Sequence, residues 1–336
     1  MLYNNMELHN ILAISETKKG EVCISRLTDV LRKQMVNDEI AFSCAGVEIR
    51  FKLVDPKVTL QIESFNELPT AISIFHGSYK LGKLICVNKG MNEIVIEKLP
   101  QIDRLKNMEL ETNMGFDSEM IRVILNNGNF GPPKILGQIE SPAGLSVPPK
   151  TYLAYGSSIT AGGSSVLPDL NYVSRTAWKL GAQNINLGFA GCANLEKALA
   201  DYIAQQKNID FLSMELGVNM VWDMEKNDWS GTDVFRERVE YFIPTIAEAH
   251  KDIPIVCTDI FLSGNDFFMD QLVFAFRDIV REVAIKFERK NKLFKYVCGK
   301  DLLTTYEGLT MDQLHPNNIG MIDIGDNLFE AFSKLK

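Results

Sequence analysis

The chain has four histidines (His9, His76, His250 and His315), three tryptophans and no run of about 18 apolar residues. Without such a run no membrane-spanning helix is expected. Positive charge is not in excess: 35 Lys and Arg stand against 43 Asp and Glu, a net charge of −8. Nucleic acid is therefore not expected as a partner, because phosphate binding needs a basic face. The six cysteines (Cys23, Cys44, Cys86, Cys192, Cys257, Cys298) are scattered, with no Cys-x-x-Cys pair. They read as reduced thiols of a cytoplasmic protein, not as a disulfide frame or a zinc site. Residues 1–21 lack a continuous apolar core and a small-residue cleavage site, so no signal peptide is expected. There is no glycine-rich phosphate loop and no metal-ligand cluster. With so few histidines, any chemistry that needs an imidazole base has few candidates.

A chain of 336 residues can form two domains with separate cores. From about 22 to 147 the rhythm is that of strands. Val47, Ile49, Phe51 and Leu53 alternate with Glu48, Arg50 and Lys52. Similar short runs follow at 58–62, 71–75, 84–87 and 94–96, punctuated by Asp55-Pro56, His76-Gly77, Lys89-Gly90 and Asn127-Gly128. A helical stretch is expected near 27–35, and the strands predict an all-β sandwich of jelly-roll type. Beyond about 150, strands at 152–155, 185–187, 211–216, 253–257 and 293–297 alternate with helices at 171–180, 195–206, 235–249, 271–287 and 319–332. That alternation predicts a three-layer, flavodoxin-like α/β fold with a five-stranded parallel sheet, whose ligands bind at the carboxyl ends of the strands. The proline-rich piece 142–149 marks the boundary, so the expected division is 1–147 and 148–336. The link is short, and the two parts should touch.

The chemistry concentrates at those strand ends. Ser158 follows the first strand, in Tyr155-Gly156-Ser157-Ser158-Ile159-Thr160. Gly191 follows the second, Gly217-Val218-Asn219 the third, and Asp312 and His315 the fifth. A serine hydroxyl is a weak nucleophile until an imidazole takes its proton, and a carboxylate three residues before that imidazole can orient it. Attack on an ester carbonyl makes an oxyanion. The backbone N–H groups of Ser158 and Gly191 and the side-chain amide of Asn219 would receive it. Trp222, three residues after Asn219, is a candidate to stack on a sugar or wall the acyl site; core packing is the alternative.

These blocks, in this order, resemble the SGNH (GDSL) hydrolases. Gly156–Thr160 resembles their first block with Ser158 as nucleophile, Gly191 the second, Gly217-x-Asn219 the third, and Asp312-x-x-His315 the last. The resemblance spans about 150–336. The β-rich first half is similar to the N-terminal sandwich of two-domain carbohydrate esterases and related acyl-transfer enzymes, a likeness carried by 45–51. Two positions depart from the family pattern: Ser157 stands where Asp is usual, and Met220 follows Asn219 in place of Asp. Neither removes a catalytic group.

The resemblance implies a serine esterase that acts on short, acetyl-type esters of carbohydrates or similar small molecules, with no cofactor. An acyltransferase using the same residues is one rival reading, and a non-catalytic carbohydrate-binding protein is another. Ser263-Gly264-Asn265-Asp266 imitates the third block but follows the fourth strand, so it reads as a decoy. His250 reads as a helix-end residue, His76 as a turn or contact residue, His9 as part of an uninformative leader and Cys192 as packing.

Overall fold

The structure, a computed structural model, describes residues 1–112, 115–222 and 232–335. Alternation decides the first half. In Lys57–Ser64 the buried residues Val58, Leu60, Ile62 and Ser64 alternate with Lys57, Thr59, Gln61 and Glu63. This strand pairs antiparallel with Gly90–Glu97 over eight residues and with Lys134–Leu136 on its other edge. Opposite it, Glu48–Leu53 lies between Met6–His9 and Met120–Ile124, with Thr70–His76 beyond. One apolar cluster, containing Ile49, Phe51, Leu60, Ile62, Ile74 and Val123, fills the space between the two sheets.

The outer face of the Glu48–Leu53 strand is not a solvent face. Glu48 and Arg50 are buried, and Arg122 grips both carboxylate oxygens of Glu48 at 2.6 and 2.8 Å. Arg50 reaches Gln183 Oε1 at 2.6 Å, in the second half of the chain. Burial opposes the charge on Glu48, but Arg122 and Arg50 overcome it and hold the carboxyl well below the usual range.

Four stretches differ from expectation. The leader forms strands, and His9 Nε2 bonds Asn184 O at 2.6 Å. Near 27–35 only Asp29–Arg32 is helical, capped by Thr28; Leu27, Leu31 and Met35 spend their apolar surface on the core of the second half. A helix at Ile102–Thr112 and the central strand Met120–Ile124 are further additions, the helix hidden because its apolar face is weak and the strand because it is buried at every position and shows no alternation.

The second half holds the five-stranded parallel sheet, in the order Ala182–Gly188, Lys150–Gly156, Phe211–Glu215, Ile255–Thr258, Phe294–Val297. Helices Tyr172–Leu180 and Asn318–Ser333 cover one face, with Tyr172, Val173, Met321, Ile324 and Leu328 in the core. Helices Lys197–Ala204, Asp233–Ala249 and Gln271–Glu288 cover the other, through Leu199, Ile203, Val239, Phe242, Phe276 and Val280. The chain steps from the Lys150–Gly156 strand to one side and later crosses to the other. The carboxyl end of that strand is therefore the topological switch point. Among the described residues no helix is long and apolar enough to cross a membrane, and none of the six cysteines is in a disulfide.

Candidate active site

Ser158 begins a four-residue helix, Ser158–Ala161, at the switch point. Ser157 caps it, its side chain accepting from Ile159 N–H at 3.1 Å. The turn has no room for larger side chains. A Cβ on Gly156 would lie 2.1 Å from Thr160 Oγ1, and one on Gly188 would lie 2.2 Å from Ala161 N. A Cβ on Gly163 would lie 2.9 Å from Ser158 O and 3.3 Å from the His315 ring. Glycine at 163 thus leaves room for the Ser158 carbonyl and for the imidazole.

His315 arrives on a loop closed by the Leu309–Pro316 bridge and by Thr310 N–H donating to His315 O at 2.8 Å. Its Nε2 is 2.7 Å from Ser158 Oγ, and its Nδ1 is 2.7 Å from Asp312 Oδ2. Asp312 Oδ1 accepts from Thr310 Oγ1 at 2.7 Å and from Leu314 N–H and His315 N–H at 2.9 Å each. Burial works against the charge on Asp312, but these donors and the imidazole hold its carboxyl well below the usual range. An ionised carboxylate at Nδ1 places the proton there and leaves Nε2 to accept from the serine.

Asn219 lies in the Val218–Trp222 helix, and its Oδ1 accepts from Ala193 N–H at 2.9 Å. That bond fixes the amide plane, leaves Nδ2 as the donor end and ties Asn219 to the loop carrying Gly191. Gly191 has φ +68, and a Cβ there would meet open space. The backbone conformation, not crowding, is what calls for glycine. Met220, in place of the family's Asp, is core.

The remaining candidates separate from the site. The Trp222 side chain lies outside the described residues. His76 is buried with Nε2 3.2 Å from Glu97 O, and burial lowers its pKa. His250 ends a helix with Nε2 2.8 Å from Ile203 O. Asn37 Nδ2 donates to Cys192 Sγ at 3.4 Å. At Ser263–Asp266 the Asp266 side chain accepts from Ser263 N–H at 3.0 Å, and Asp266 pairs with Arg277. Gly264 N–H donates to Gln313 O at 2.7 Å, so the decoy braces the loop that carries His315. Among the described residues no group of three or more His, Cys, Asp or Glu could hold a metal ion.

Two supporting residues escaped the sequence reading. Glu215 lies under the nucleophile turn, and its only sequence signal is a carboxylate inside the apolar run before Gly217. Arg26, fully buried, donates to Ser43 O at 2.5 Å and to Asn186 O at 2.9 Å and lies over the Phe189 ring. Asn186 in turn donates from Nδ2 to Thr160 O at 2.8 Å. A residue from the first half therefore reaches the nucleophile turn through one intermediary.

Residues 149–333 match the model of the GDSL-like lipase/acylhydrolase family. A search of the curated proteins gave no match. Among solved structures the chain is similar to a salicylyl-acyltransferase from a tetracycline biosynthetic pathway, with TM-score 0.77 and 16% identity over 99% of this chain and 96% of the other. It is also similar to a family two carbohydrate esterase from Cellvibrio japonicus, with TM-score 0.59 and 13% identity over 99% and 96% of the two chains. An acetyl xylan esterase from the rumen bacterium Butyrivibrio proteoclasticus has TM-score 0.54 and 12% identity over 98% and 95%. At such identities these likenesses are likenesses of fold. The family match covers more than half of the chain, in the part that holds Ser158, Gly191, Asn219, Asp312 and His315. The chain belongs to the GDSL-like lipase/acylhydrolase family and is an enzyme of the carboxylic ester hydrolase class.

Proposed function

We propose that the protein is a serine esterase that removes short acyl groups, acetyl above all, from O-acylated carbohydrates or similar small esters. The observation that carries this reading is the continuous hydrogen-bond chain Asp312–His315–Ser158, with 2.7 Å at both links. In the cycle Ser158 Oγ attacks the ester carbonyl carbon as His315 Nε2 takes its proton. The oxyanion is received by the N–H groups of Ser158 and Gly191 and by Asn219 Nδ2. The carbonyl re-forms, the C–O bond to the alcohol breaks, and His315 gives its proton to the leaving oxygen. Water, deprotonated by His315, then attacks the acyl-enzyme and releases the carboxylic acid and free Ser158. No cofactor takes part.

The carbohydrate and acetyl parts of the reading draw on the family resemblance and on neighbours named as a carbohydrate esterase and an acetyl xylan esterase. Trp222, three residues after Asn219, is proposed to border the substrate. The division at 147/148 and a cytoplasmic location belong to the same proposal. The test is hydrolysis of p-nitrophenyl acetate, butyrate and octanoate, with Ser158→Ala as control. Acetate turnover that the variant lacks supports a short-chain serine esterase. Octanoate turned over faster than acetate would refute the short-chain reading, and full activity in Ser158→Ala would refute the nucleophile.

A further inference from the structure

One buried carboxyl group touches the nucleophile turn without a part in the cycle above. Glu215 ends the central strand of the parallel sheet and is 2% exposed. Its Oε2 accepts from Ser157 N–H at 2.6 Å and from Thr160 Oγ1 at 3.1 Å. Those two residues flank Ser158 and Ile159. The Tyr172 hydroxyl is 2.5 Å from Thr160 Oγ1, so with Thr160 donating to Glu215 the tyrosine donates to Thr160. Glu215 Oε1 is buried with no hydrogen-bond partner. A carboxyl group so placed is expensive unless it holds something that matters. The titratable groups that face it are Tyr155, Tyr172 and His315.

A helix of four residues has little rigidity of its own, because its few backbone bonds do not repay the cost of nucleation. Something else must hold Ser158. The family's usual carboxylate at 157 is replaced by a serine that caps Ile159, and Glu215 brings a carboxylate to the same turn from the neighbouring strand. Gly156 makes this approach possible, since a Cβ there would lie 2.5 Å from Glu215 Oε2.

We propose that Glu215 is a positioning residue: by accepting hydrogen bonds from Ser157 and Thr160 together, it clamps the nucleophile turn and aims Ser158 Oγ at His315 Nε2. The inference rests on the serine-esterase reading for its kinetic consequences, but its geometric content can be measured separately.

The experiment compares Glu215→Gln, Glu215→Ala and Thr160→Val, each checked for a cooperative melt. Steady-state kinetics on p-nitrophenyl acetate are combined with ¹⁵N NMR of the imidazoles. With only four histidines, the His315 signals are assigned from His315→Ala. The amide oxygen of Glu215→Gln can still accept both bonds, so kcat should stay within about threefold of wild type and the His315 Nε2 signal should keep its hydrogen-bonded position. Glu215→Ala should lose roughly 10² in kcat with little change in KM, and the Nε2 signal should move. Should Glu215→Ala fail to fold, Thr160→Val removes one arm of the clamp and should cost about fivefold in kcat with a smaller movement. Wild-type kcat and an unmoved signal in the folded Ala variant, or in Thr160→Val when the Ala variant does not fold, overturn the proposal. So does a Gln variant as damaged as the Ala variant, since charge rather than hydrogen-bond acceptance would then be what the site uses. If wild type hydrolyses no ester while the His315 signal still moves in Glu215→Ala, the esterase reading fails and the positioning role stands.

Discussion

Two carboxyl groups brace the Ser158–His315 pair from opposite kinds of surroundings: Glu215 through the residues on either side of Ser158 and Ile159, Asp312 through His315 itself. Glu215 is buried beneath the nucleophile turn and accepts two hydrogen bonds on a single oxygen. Burial raises its pKa, and its hydrogen bonds and His315 only partly offset that. Asp312 lies on the loop bearing the base, with its side chain 48% exposed, and accepts four hydrogen bonds across both oxygens. Its pKa is lowered. What separates the two is the number of donors each is offered against the water each has lost. The turn is held from within the sheet. The loop is held largely by its own hydrogen bonds, with Gly264 as an outside brace.

The sharpest break in this comparison is His315→Ala. It should cost about 10⁶ in kcat, since residues that act as a unit fail together. Measurable turnover near wild type would remove His315 as the base. Asp312→Asn presents an amide N–H₂ or a neutral oxygen to Nδ1 and disfavours the working tautomer. A loss of about 10⁴ in kcat is expected in a variant that still melts cooperatively. Asn219→Ala should slow kcat by roughly 10²–10³ and leave KM nearly alone; an effect confined to KM would show that Asn219 is not an oxyanion donor. Thr310→Val deletes one donor to Asp312 on an exposed loop, so only about a fivefold loss is expected, the rate equivalent of roughly 1 kcal/mol.

The smallest effect is one of pH on stability. Glu215 has a raised pKa, so the folded state holds its proton more tightly than the unfolded state. Stability is therefore lost as pH rises from the ordinary glutamate range through the raised value. Glu215→Gln lacks this loss, and its melting temperature should gain on wild type as pH rises across that window. Asp312 has the opposite sign. Its contribution is present above the ordinary aspartate range and is lost as pH falls through its lowered value. Wild-type and Glu215→Gln melting curves that stay parallel across pH would show that Glu215 is not shifted as its burial implies.

Much of the site was legible because its chemistry sits in short motifs. Gly156-Ser157-Ser158, Gly217-x-Asn219 and Asp312-x-x-His315 each keep their reacting groups within four residues. The spacing of Asp312 and His315 alone lets one carboxylate meet both the backbone N–H and the ring of the same histidine. Glu215 was hidden for the converse reason. In sequence it is 57 residues from Ser158, and strand pairing between Lys150–Gly156 and Phe211–Glu215 is what brings it under the turn. Arg26 is farther still from Asn186, just before the stretch 27–35 whose pattern suggests a helix.

The residue pattern by itself determined the parallel sheet, the antiparallel strands before it and the strand ends at which Ser158, Asn219 and His315 would appear. These follow from local periodicity and from the geometry of alternating strands and helices. Only the tertiary structure decided which polar faces are buried. Glu48 and Arg50 alternate like a solvated face, yet with Arg122 of the neighbouring strand they are enclosed where the antiparallel sheet meets Gln183. Burial of a charge depends on what packs over it and which partners satisfy it, and neither is written in the period of a single strand.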